Sequence, residues 1–108
     1  MNKPLKIYIA GKVSGEPIAT CSMKFGMAQK ELEGLGHIAI NPLALVNNWK
    51  APWPEAMKIC IKGLMDCDAV LFLPCHTESE GAKLELLLAN KTQLITFFNL
   101  SQIAPHEK

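Results

Sequence analysis

Arginine is missing altogether: all eleven basic side chains are lysines. Without a guanidinium there is no rigid fork to grip a phosphate through two parallel bonds, so anion recognition falls to Lys and backbone N–H groups. An excess of one charge is missing too. Eleven Lys stand against ten Asp and Glu, for a formal net charge of +1. That balance lacks the basic footprint of a duplex-binding protein, so no nucleic-acid partner is expected. No apolar run approaches the roughly 20 residues of a membrane-crossing helix, and no membrane partner is expected. The four cysteines, Cys21, Cys60, Cys67 and Cys75, form no C-x-x-C pair. Their spacing matches no common zinc signature, and neither a metal nor an organic cofactor is implied. Met1-Asn2-Lys3-Pro4 runs straight into a strand-like segment with no apolar leader. Reduced thiols in a cytoplasmic protein are the expectation.

What is present reads as one folded domain over residues 1–108, with 49% hydrophobic and 19% charged residues. A chain of this length can bury roughly two-thirds of its unfolded surface. Residues 5–10 (LKIYIA) form a short apolar run that stops at Gly11, the pattern of a buried strand. Cys21, Phe25, Ala28, Leu32 and Leu35 then recur at steps of four and three, one face of a helix that Gly34 and Gly36 stop. Residues 37–40 are a second strand, closed by Asn41-Pro42. Residues 43–54, with Pro52, Pro54, Trp49 and Trp53, have room for a short helical turn but read mainly as an ordered loop. A helix is expected over 55–65, with Met57, Cys60, Ile61, Leu64 and Met65 inward. A third buried strand follows over 69–74, a helix over about 81–90 and a fourth strand over 93–98. The tail, 99–108, is expected to be loosely held.

The alternation β-α-β-α-β-α-β points to an α/β fold: three-layer, Rossmann-like (flavodoxin-like), with a mainly parallel sheet of four to five strands and helices on both faces. Such sheets bind ligands outside the carboxyl ends of their strands, where the topology switches. The loops 11–15, 41–54 and 75–81 fall at that edge. The first, Gly11-Lys12-Val13-Ser14-Gly15, is a G-x-x-x-G turn, neither a dinucleotide fingerprint nor a Walker loop. In the third, Ser79 is placed to cap a helix and Gly81 to let a ligand approach the backbone. Glu85 follows one turn later, breaking a run that includes Leu84, Leu86, Leu87 and Leu88. Such a carboxylate lies either on the solvent face, which periodicity favours, or aimed into a pocket.

Four stretches together resemble the nucleoside 2-deoxyribosyltransferase superfamily, in particular its short bacterial and phage-like members. They are Tyr8-Ile9-Ala10-Gly11, residues 36–42 (GHIAINP), residues 67–74 (CDAVLFLP), and residues 79–85 (SEGAKLE) with Ala89. The last is similar to the S-x-G-x-x-x-E segment that carries the family's nucleophilic glutamate. The resemblance implies that Glu85 faces the pocket as that nucleophile, a role that suits the positive charge built at an anomeric carbon. It implies that Tyr8 reaches the site. The loop from Gly11 to Gly15, with Asn41, Ser79 and Gly81, is expected to line it. Lys12, where short members often carry proline, either meets a 5′-phosphate or stays solvated. One departure stands out: by spacing, Cys60 occupies the position of a supporting aspartate. Asp66 and Asp68 lie at the wrong end of the third strand to replace it.

Two functions follow as expectations. One is cleavage of a nucleoside or nucleotide N-glycosidic bond, or deoxyribosyl transfer. The other is a catalytically impaired nucleotide-binding module. A homodimer or higher homo-oligomer is expected, because the family's sites borrow residues from a neighbouring subunit. Trp49 and Trp53 stack on a base or bury themselves in a subunit contact, packing being favoured. His37 reads as structural, while His76 and Cys75 fall near the functional edge.

Overall fold

Four short strands set the frame in a computed structural model, which describes residues 3–106. They are β1 (Lys6–Ala10), β2 (Ile38–Ile40), β3 (Ala69–Phe72) and β4 (Ile95–Phe97). All pairs are parallel, in the order β2-β1-β3-β4. This is the flavodoxin-like strand order with four strands. Every residue of β3 and all of β1 but Lys6 are buried, which accounts for their unbroken apolar runs. The edge strands β2 and β4 are only three residues long, and short edges resist pairing with other chains.

The helices are α1 (Ile18–Gly34), α2 (Pro42–Val46), α3 (Trp53–Met65) and α4 (Glu80–Lys91). Alternation along the strands divides the core in two. Ile7, Ile9, Ala69 and Leu71 pack against Phe25, Ala28 and Leu32 of α1. Tyr8, Ala10, Val70 and Phe72 pack against Leu64 of α3 and Ala89 of α4. The α/β fold and its three layers are therefore as expected, and α1 buries the stripe its spacing marks. Among the described residues no helix is long and apolar enough to cross a membrane.

Three expectations need correction and one is refined. The segment 43–54 does hold a short helix, with residues 47–52 as loop. Asn41 Oδ1 accepts a hydrogen bond from Leu43 N at 3.0 Å and Pro42 opens α2, a capped start that a short apolar run completes. α3 begins at Trp53 rather than residue 55, because Pro54 is tolerated in a first turn whose N–H has no partner. The tail is not loose over residues 99–106, and residues 107–108 lie outside the described residues. Leu100–Gln102 form a short 3₁₀ turn and Ile103 enters the core beside α1. His106 N donates to Leu35 O at 2.7 Å. His37 secures the junction: Nδ1 accepts from Leu5 N at 3.0 Å, so Nε2 carries the proton and donates to Ala104 O at 2.7 Å. β3 and β4 are also shorter than expected, β3 giving way to a 3₁₀ turn over Pro74–Glu78.

Candidate functional site

The chain leaves β1 toward β2 on one side and leaves β3 toward β4 on the other, so the loops after β1 and β3 diverge. A crevice opens where they part. It holds a cavity of about 320 Å³, walled by the 11–16 loop, α2, α3 and the start of α4. Gly15 gives the loop its turn with φ of +82°, a backbone region that side chains resist.

Glu85 lies on the cavity wall and is only 4% exposed. It is not on the solvent face that leucine periodicity favours. The inward stripe of α4 is Gly81, Ala82, Glu85 and Ala89, while Leu84, Leu86 and Leu88 flank it half-buried. Small residues let the helix approach closely. A Cβ added at Gly81 would meet Met57 Sδ at 3.0 Å. Ser79 Oγ starts the helix by accepting from Ala82 N at 3.1 Å.

Tyr8 projects from β1 into the same space, and its hydroxyl donates to Glu85 Oε2 at 2.7 Å. Burial raises the Glu85 carboxyl to about 7, with the Tyr8 bond pulling against it. Burial, and next the nearby Glu85, push the Tyr8 phenol far above its ordinary range, so it keeps its proton and acts as a donor. Cys60 adjoins both groups from α3. Burial raises its thiol, Tyr8 lowers it and Glu85 raises it again, leaving a neutral S–H rather than a thiolate at neutral pH. Glu85 is thus poised between carboxylate and acid beside two groups that stay protonated.

Tyr8, Gly11, Gly15, Ser79, Gly81 and Glu85 all come together on the cavity wall, as does Cys60. Two expected residues do not join them. Asn41 caps α2, and its Nδ2 donates to Gln29 Oε1 at 3.2 Å, so it braces the loop from outside the cavity lining. Lys12 lines an adjoining pocket instead, with Nζ 4.0 Å from Glu78 Oε1. Cys75 and His76 also stand off the cavity. Cys75 Sγ accepts from Lys12 N at 3.2 Å. His76 packs against Phe72 and Phe98, with ring centroids at 5.3 and 5.6 Å.

Trp49 and Trp53 line the cavity at 47% and 46% exposure, standing at its rim rather than packed away. Residues that sequence reasoning did not place in the site include Glu16, Ile18, Val46 and Met57. The half-exposed Ile18 at the start of α1 is an apolar side chain with no core to enter. Glu16 holds Lys24 Nζ at 3.0 Å, and that bond lowers its pKa. Among the described residues no three His, Cys, Asp or Glu side chains gather as a metal-binding group.

A buried carboxyl group at the switch point of a parallel sheet, under an aromatic rim, marks a small α/β domain with a cavity at the carboxyl edge of its sheet. The chain belongs to a family described as a domain of unknown function, DUF4406, whose model matches residues 5–98. Comparisons with curated proteins and with solved structures give no match.

Proposed function

We propose that the cavity takes a nucleoside or nucleotide and that Glu85 attacks its anomeric carbon, breaking the N-glycosidic bond. The observation that carries this reading is the state of Glu85: buried, lining a cavity, with Oε2 held by Tyr8 and no hydrogen bond engaging Oε1 among the described residues. The resemblance of residues 79–85 to the nucleophile segment of the nucleoside 2-deoxyribosyltransferase superfamily supports it. So does the size of the cavity, which suits one small ligand. Trp49 and Trp53 offer flat faces to a base at the rim.

In this mechanism Tyr8 fixes the carboxylate. Positive charge developing on the sugar draws Glu85 to its ionised form, against the burial that holds it near neutrality. Oε1 forms a bond to the anomeric carbon, and the carbon–nitrogen bond breaks with its electron pair going to the base. The base takes a proton from water. A second base or water then opens the glycosyl ester and frees Glu85. We place a second copy of the chain against the open mouth, where the exposed tryptophans stand.

Cys60 favours a second reading, a binding module that holds a nucleotide-like ligand without turning it over. A thiol stands where the supporting carboxylate is expected, and it cannot orient a substrate as a carboxylate does. The test is a panel of deoxynucleosides and deoxynucleotides assayed for free base. Release that falls about 10³-fold or more in Glu85→Ala supports the enzyme. Release that survives Glu85→Ala overturns it. No release by the wild type or by Cys60→Asp, with measurable binding, selects the binding module.

A further inference from the structure

The walls around this site carry carboxylates where a phosphate binder carries cations. Two cavities adjoin here. The second, about 300 Å³, shares Ser14, Trp53, Ser79 and Gly81 with the first. A nucleotide with its base under the tryptophans and its sugar over Glu85 has this second space for its 5′ end. Among the described residues, the only cation lining either cavity is Lys12, and Glu78 already sits 4.0 Å from its ammonium. Glu80 lines the same space. The first cavity adds Glu16 and Glu85 and no lysine. Lys24, the nearest cation to Glu16, is held by it at 3.0 Å. The amino-terminal end of α4 does not reverse this balance, since Glu80 in its first turn already offsets the helix dipole. No arginine exists anywhere in the chain to do so.

We infer that the site selects a neutral nucleoside and turns away its 5′-phosphate, with Glu78 and Glu80 as the specificity-determining residues. The inference rests on the reading that the cavity holds a nucleoside-type ligand, and it names which form of that ligand enters. A phosphate dianion entering the second cavity meets two carboxylates and one lysine that is already engaged. Like charges so placed weaken binding, and bulk salt relieves the effect.

The chain's two tryptophans both line the cavity, so their fluorescence reports its occupancy. The experiment titrates the four deoxynucleosides and their 5′-monophosphates into the wild type and into the double variant Glu78→Gln, Glu80→Gln. Both glutamates are exposed, so the variant keeps its core. The expected result is a nucleoside bound about tenfold or more tightly than its own monophosphate, with the gap narrowing in the variant and at high salt. A monophosphate bound as tightly as its nucleoside by the wild type overturns the inference and leaves the proposed function standing. A gap unchanged in the variant also overturns it. If no nucleoside or monophosphate moves the fluorescence, the proposed function fails first and the inference with it.

Discussion

The two edges of the sheet bury polar groups in opposite ways. At the amino-terminal edge His37 engages both ring nitrogens, one with Leu5 N and one with Ala104 O. Asp68 Oδ2 accepts from Lys6 N at 2.9 Å at the same edge. These bonds tie the starts of the strands to one another and to the tail. At the carboxyl edge Glu85 is as buried as His37, at 4% against 8% exposure, yet among the described residues only Tyr8 hydrogen-bonds to it. A buried polar group with every partner in place is a structural tie. One left partly engaged beside a cavity, as Glu85 is, holds bonding capacity in reserve.

Breaking the reserve side gives the largest change in stability. The folded chain holds the Glu85 proton up to about pH 7, whereas an unperturbed glutamate loses it near 4.5. Between those values the unfolded chain binds fewer protons, so stability falls as pH rises, by about 3 kcal/mol in all, and levels off above the folded value. Glu85→Gln removes that fall. Urea midpoints of the two proteins should agree in acid and separate progressively toward neutral pH, the variant becoming the more stable by about 3 kcal/mol. Parallel pH profiles would contradict the burial of an ionisable group.

Breaking the structural side should act without regard to ligand. His37→Ala leaves Leu5 N and Ala104 O without their partners and is expected to cost about 2 kcal/mol of stability, read from denaturant unfolding. A smaller effect is expected at the start of α4. Ser79→Ala removes the cap on Ala82 N and should cost about 1 kcal/mol. A loss at Ser79 equal to that at His37 would mean that this cap carries more of the fold than one hydrogen bond explains.

Sequence reasoning found the frame where one physical cause dominates. β1 and β3 are buried on both faces and so read as unbroken apolar runs, and α1 has one wet face, so its period shows. It failed where the cause is distant or mixed. The docking of Ile103 and Ala104 depends on α1 and His37, which no local pattern announces. α2, set among prolines, read as no more than a short turn within a loop, although Asn41 before Pro42 is a readable helix start. α3 was expected to turn Met57, Cys60, Ile61, Leu64 and Met65 inward; Leu64 is buried and Met57 and Cys60 line the cavity, whereas Met65 at the end of the helix is exposed. The leucines of α4 misdirect the eye for a related reason: the stripe facing the sheet is made of small residues and Glu85. Motif resemblance, rather than periodicity, placed Glu85 inward, whereas helical spacing alone had turned Cys60 inward; Asn41 and Lys12 fell outside the cavity they were expected to line.

The central claim, that the carboxyl edge holds a desolvated carboxyl group in reserve, is open to direct titration. Carbon-13 NMR of the glutamate side-chain carboxyls, with Glu85 assigned by its absence in Glu85→Gln, would follow that group through pH. The account predicts a midpoint at about 7 in the wild type, moving higher in Tyr8→Phe because the hydroxyl that favours the ionised form is gone. A midpoint at the ordinary value near 4.5 in both proteins would place Glu85 in water and contradict the account.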